Sequence, residues 1–276
     1  MLVIKPRTAI KGMKGFVPGR SDRTVEELKT ELGLEEIVKL SFNESPYGPA
    51  PKVDSAIADA IASVHLYHDP EGKIIKDSLA RLYGVERKNI FLTNGADEAI
   101  SLLAQAFLSE GDEAIVVEPS FGQYAFATKV MGAVPVAVPV RDDLTADLAA
   151  IKAAVTDKTK MIFLCNPNNP TSVLSDKAEL EAWIKGIGSD IMLVLDEAYA
   201  EYADADKMLS GMDLQKQYSN IVCIRTFSKI YGLAALRLGY GVAEESITAA
   251  IDAVRSPFNV NALAPAGAVA AVAHQG

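Results

Sequence analysis

Short unbroken apolar runs alternate along this chain with longer stretches in which apolar positions recur every three or four residues. The runs predict strands at Asn89–Thr93, Glu113–Val117, Pro135–Val140, Lys160–Cys165, Ile191–Leu195, Asn220–Arg225 and Leu238–Val242. The intervening stretches predict helices at Asp97–Ser109, Phe121–Met131, Asp147–Ala154, Lys177–Ile187 and Glu244–Val254. Strands written as continuous Val/Ile/Leu runs are buried on both faces, as in a mostly parallel sheet between helical layers. The fold class that follows is α/β, with an open, mostly parallel sheet.

The two ends depart from this alternation. Residues 1–45 read as an arm, with a basic, Gly/Pro-rich stretch at Lys11–Arg20 and one short amphipathic helix near Thr24–Leu32. Asn259–Gly276 begins with turn residues and then runs Ala/Val-rich, as though opening a long helix.

Composition narrows the classes of partner. With 49% apolar and 23% charged residues among 276, the chain is not a mainly disordered one. Its 27 basic and 36 acidic side chains give a net charge of −9, which argues against nucleic acid or an anionic membrane as the main partner. Cys165 and Cys223 each sit inside an apolar run and read as buried thiols of a reducing compartment, with a single disulfide left open. Together with His65, His68 and His274 they make no zinc set. The opening MLVIKPR lacks the apolar core of a signal peptide, and no apolar run reaches spanning length, so the expected location is cytoplasmic.

Candidate chemistry lies where strands end. Thr93-Asn94-Gly95-Ala96-Asp97-Glu98 joins a strand to a helix, and the free N–H groups of Ala96 and Asp97 could face an anion; taken alone, a plain junction capped by Asp97 or Asn94 is the simpler explanation. Asn166-Pro167-Asn168-Asn169-Pro170-Thr171 makes a stiff loop at a strand's carboxyl end, where open α/β sheets place ligands. Asp196, in Leu195-Asp196-Glu197-Ala198-Tyr199, ends an apolar strand and needs a partner there, such as a cationic ring nitrogen or a metal, unless it only caps the turn. In Thr226-Phe227-Ser228-Lys229, a desolvated lysine could form a Schiff base, and the two hydroxyls with Arg237 suit a phosphate monoester. A lone lysine is more often a solvated surface charge.

The order of these four segments resembles that of fold-type I pyridoxal-phosphate enzymes, specifically the histidinol-phosphate aminotransferase family. The resemblance runs from Asn43-Glu44-Ser45-Pro46-Tyr47-Gly48 to Pro257-Phe258-Asn259-Val260-Asn261. It implies a three-layer α/β/α large domain on a mostly parallel seven-stranded sheet, spanning residues 46–256. Residues 1–45 would then form an arm belonging to a small domain, and 257–276 the start of a truncated C-terminal part of it. The resemblance further implies that Lys229 attaches the cofactor and shuttles the proton, and that Asp196 keeps the ring nitrogen protonated. Asn169 and Tyr199 would donate to the ring oxygen, and Phe121 would stack on the ring. Ala96, Asp97, Thr226, Ser228 and Arg237 would hold the phosphate, and Tyr67 would reach the phosphate of the other subunit's cofactor in a homodimer.

Three features depart from the family pattern. Ser172 stands where glycine is usual, Phe16 stands where tyrosine often meets the substrate, and the family's C-terminal domain has no counterpart here. The implied reaction converts L-histidinol phosphate and 2-oxoglutarate to imidazole acetol phosphate and L-glutamate. An aromatic-amino-acid aminotransferase or a threonine-phosphate decarboxylase on the same scaffold is the alternative, as is a chain that binds the cofactor without full competence. A dinucleotide-binding protein fits poorly, since no G-x-G-x-x-G occurs.

Overall fold

The computed structural model describes residues 4–15 and 23–274. Within the arm, α1 (Val25–Leu32) starts at a capping box formed by Thr24 and Glu27 and stops at the left-handed Gly33. The body then runs α2 (Val53–Ile61), α3 (Lys73–Tyr83), β1 (Ile90–Thr93), α4 (Ala96–Phe107), β2 (Glu113–Glu118), α5 (Gln123–Met131), β3 (Val134–Pro139) and α6 (Leu148–Ala153). It continues through β4 (Thr159–Cys165), α7 (Lys177–Ile184), β5 (Met192–Asp196), α8 (Gly211–Leu214), β6 (Ile221–Thr226), β7 (Gly239–Val242), α9 (Glu245–Val254) and α10 (Leu263–Val272). Each expected strand forms, with ends shifted by a residue or two.

Among the described residues the seven strands make one sheet in the order β1-β7-β6-β5-β4-β2-β3. Neighbours from β6 to β3 are parallel, while β7 lies antiparallel to both β6 and β1. The reversal has a local cause. Residues 227–238 return from β6 through a single helical turn at Ala234–Leu236, with no crossover helix, and a parallel partner would need one.

Both faces of the central strands are buried. In β4, Met161, Phe163 and Cys165 face the layer of α4, α5 and α9, whereas Ile162 and Leu164 pack among Leu180, Trp183 and Ile184 on the opposite face. By the same alternation Val194 and Asp196 of β5, and Ile224 and Thr226 of β6, share the α4/α5 face. The expected three-layer α/β/α arrangement is thereby realised. A third cluster joins α2, α3 and α10 to β1 and β7 through Ile75, Leu79, Tyr240 and Ala268.

Cys165 and Cys223 are buried and free. They lie on β4 and β6 with β5 between them, which puts the strands roughly 10 Å apart and out of disulfide reach. Trp183 is core. Among the described residues no helix is long and apolar enough to cross a membrane, and no His/Cys/Asp/Glu group could hold a metal ion.

Candidate functional site

The carboxyl ends of β4, β5 and β6 lie side by side, with Cys165 paired to Asp196 and Asp196 to Ile224. Above them opens a cavity of about 730 Å³, within the range of small-molecule sites. Ala96, Asp97, Phe121, Asn169, Asp196, Tyr199, Thr226, Ser228, Lys229 and Arg237 all line it. Tyr67 does not: it is 85% exposed, with its ring 4.6 Å from that of Phe258. Phe16 lies outside the described residues.

One end of the cavity is built for an anion. Gly95 caps α4 with φ +79°, leaving the first N–H groups of the helix directed outward. A Cβ on Gly95 would lie 2.4 Å from Arg237 Nη2, and one on Gly239 would lie 2.5 Å from the Gly95 carbonyl carbon. Two glycines thus let the β1–α4 turn close on the Arg237 guanidinium. Thr226 Oγ1 donates to Ser228 Oγ at 3.0 Å, and Arg237 Nη1 approaches the same oxygen at 3.4 Å. Arg237 also pairs with Asp97 Oδ2 at 3.2 Å. Helix dipole, hydroxyls and guanidinium all favour a bound dianion.

At the opposite end Asp196 is 3% exposed and carries two hydrogen bonds. Tyr124 Oη donates to Oδ2 at 2.7 Å and the Ala198 N–H donates to Oδ1 at 3.0 Å. Burial outweighs both donors and pushes the carboxyl up to about 6. A carboxyl raised on folding contributes stability at low pH that is lost as pH rises through its folded value. Cofactor-free Asp196→Asn protein is therefore expected to melt above the cofactor-free wild type at pH above about 7, with the gap closing toward about pH 4. Thermal unfolding across that range checks this, and a gap independent of pH refutes it.

Lys229 stands between these ends. Nζ donates to the Phe42 carbonyl at 2.7 Å and lies 5.7 Å from the centre of the Tyr199 ring. Burial lowers its pKa, which raises the share of neutral, nucleophilic amine. Asn43 Nδ2 donates to Tyr199 Oη at 2.9 Å. Phe42 and Asn43 both hold left-handed backbone, which turns the arm into the cavity. Neither contact is legible in the sequence, because each spans more than a hundred residues.

The loops beside the cavity are tied by Asn168. It accepts from Ser120 Oγ at 2.7 Å, and its Nδ2 donates to the Pro119 carbonyl and to Thr171 Oγ1, each at 3.0 Å. The turn bearing Phe121 and the turn bearing Asn169 are thus one unit. Ser172 in this unit is exposed with φ +61°, a region that costs an L-residue about 1 kcal/mol. Ser172→Gly is expected to raise stability by up to about 1 kcal/mol, read from a denaturant midpoint, with the larger freedom of unfolded glycine offsetting part of the gain. A lower midpoint would show that the seryl side chain supports the turn. A second cavity of about 700 Å³ adjoins the first and shares Asn43, Glu44, Asn169 and Tyr199 with it.

The family described as Aminotransferase class I and II matches residues 35–276. The chain is 42% identical over 271 residues to histidinol-phosphate aminotransferase of Moorella thermoacetica, covering 98% of this chain and 69% of that protein. Among solved structures, histidinol-phosphate aminotransferase from Sinorhizobium meliloti in complex with pyridoxal-5'-phosphate superposes with TM-score 0.88 at 29% identity, covering 99% of this chain and 72% of that one. L-threonine-O-3-phosphate decarboxylase from Porphyromonas gingivalis gives TM-score 0.72 at 27% identity, with 82% and 69% covered.

Proposed function

Because the chain belongs to the class I and II aminotransferase family, which depends on pyridoxal phosphate, we propose that it transfers the amino group of L-histidinol phosphate to 2-oxoglutarate. The observation that carries this reading is the convergence of a half-buried amine, a buried carboxylate and an anion cradle in one cavity. The residues present fit the cofactor. The turn at Gly95 closes on the Arg237 guanidinium only because Gly95 and Gly239 lack Cβ atoms, which gathers donors for a phosphate, and Asp196 is a buried carboxylate held by two neutral donors.

Bound there, pyridoxal phosphate supplies an electron sink for negative charge developing at the substrate's Cα. Ala96 and Asp97 N–H groups, Thr226, Ser228 and Arg237 hold its phosphate. Asp196 keeps a proton on the ring nitrogen, which offsets the cost of its own buried charge. Asn169 and Tyr199 donate to the ring oxygen, and Phe121 covers one ring face. Lys229 Nζ would anchor the cofactor, and its amine would take up and return the proton at the substrate's Cα. Tyr67, exposed on the loop before α3, reaches the phosphate of the partner's cofactor in a homodimer. The reading also carries the division into an arm (1–45), a cofactor domain (46–256) and the start of a C-terminal small domain (257–276). Two free buried thiols support a cytoplasmic setting.

Half-reactions with histidinol phosphate, phenylalanine and threonine phosphate test this. Histidinol phosphate should discharge the visible absorbance of the loaded protein fastest. No visible band after incubation with pyridoxal phosphate would sink the cofactor assignment, and preferred turnover of another substrate would move the enzyme to a sister activity.

A further inference from the structure

We propose that Tyr124 is a positioning residue of the cofactor site, holding the Asp196 carboxylate through its hydroxyl and the Phe121 ring through its own. The inference rests on reading the cavity as a pyridoxal-phosphate site. Tyr124 sits in the first turn of α5, three residues after Phe121, and is 1% exposed. The two rings meet edge to face, 5.7 Å between centres and 84° between planes. On its other side Tyr124 stacks on Phe163 of β4, 5.0 Å away and 12° from parallel, so the ring is packed on both sides. Phe163, Asp196 and Tyr124 therefore meet on the α5 face of the sheet because β4 and β5 alternate in phase.

A buried phenol must find a hydrogen-bond partner, and here it finds Asp196 Oδ2 at 2.7 Å. The Asp196 carboxylate has one backbone donor, Ala198, which any residue at that position would supply. Tyr124 is the donor that only a particular side chain can give. Two donors from two elements fix the carboxylate plane, and the same side chain props the aromatic expected to cover the cofactor ring. A single residue thus sets the edge and the face of the ring's seat.

The alternative is that Tyr124 is a core aromatic whose hydroxyl happens to be satisfied. A double-mutant cycle separates the two. Loaded wild type, Tyr124→Phe, Asp196→Ala and the double variant are dialysed to equilibrium against graded pyridoxal phosphate, and the bound fraction is read by absorbance. Losing a hydrogen bond to a charged group is expected to weaken retention about tenfold in Tyr124→Phe. In the Asp196→Ala background the same change should cost less than about twofold.

The acid limb of the retention profile should also move to higher pH in Tyr124→Phe, because the ionised carboxylate has lost a donor. The other groups facing Asp196 are Asp97 on α4, Cys165 on β4, Glu197 beside it, and Tyr199 and Lys229 at the cavity. All of these are unchanged in Tyr124→Phe. Retention equal to wild type overturns the proposal, and so does an equal loss in both backgrounds, which would mark a packing role. A wild type that retains no cofactor overturns the site reading itself, a result distinct from either.

Discussion

Lys229→Ala should lower the rate of the histidinol-phosphate half-reaction by at least about 10⁴-fold, because one side chain serves as both covalent anchor and proton shuttle. No neighbour can replace it. Tyr199 is pushed further from ionisation by burial, and Asp196 is committed to the far end of the cavity. The fold should hardly notice the change, since Nζ makes one hydrogen bond, to the Phe42 carbonyl, and the residue is only half-buried. The expected outcome is therefore a protein with no visible band, no turnover and a melting point close to wild type. Lys229→Arg should be equally inactive, because a guanidinium neither gives up its proton nor forms the linkage. Activity within tenfold of wild type in either variant would remove Lys229 from the chemistry.

The residues of the site were legible for a definite reason. Asp196, Asn169, Ser228 and Lys229 all follow unbroken apolar strands, and an α/β sheet gathers its strand ends in one cleft. What escaped was of two kinds. Helices α2 and α3 follow left-handed Lys52 and Gly72, neither of which caps the helix with its own side chain, and the first N–H of α3 is met instead by Asp69 from four residues back, so the usual start signal is missing from both. Contacts made across the fold also escaped. Tyr124 reads as one more position in a helical pattern, and only the packing of α5 on β4 and β5 turns its hydroxyl toward Asp196. The antiparallel β7 is buried along its length like the parallel strands of the sheet, and its direction is set by the short return after Thr226.

Glu197 and Arg225 illustrate the same limit and carry the largest expected effect on stability. In sequence Glu197 is merely the residue after Asp196, and Arg225 the residue before Thr226. In the fold their side chains are 1% and 12% exposed and pair at 2.6 Å between Nη2 and Oε2, with Nε at 3.1 Å. Arg225 Nη1 also reaches Glu201 at 3.2 Å, while Glu197 accepts from Ser210 Oγ at 3.0 Å and from the Gly211 N–H. Such a pair offers little net stabilisation over a well-packed apolar replacement, because desolvation offsets most of the attraction. Removing one partner is different, since it leaves the other charge buried without its counter-ion.

Arg225→Ala is accordingly expected to cost about 3–5 kcal/mol in denaturant unfolding. The double change Arg225→Met with Glu197→Met should cost less than Arg225→Ala, because neither charge is then left alone. The pair links the ends of β5 and β6 directly behind Asp196 and Thr226, so Arg225→Ala should also loosen cofactor retention. The double variant should recover stability without fully recovering retention, since apolar side chains refill the volume but do not fix the two strand ends as a charged fork does. A cost below about 1 kcal/mol for Arg225→Ala would mean that water reaches Glu197 and that the pair behaves as a surface one.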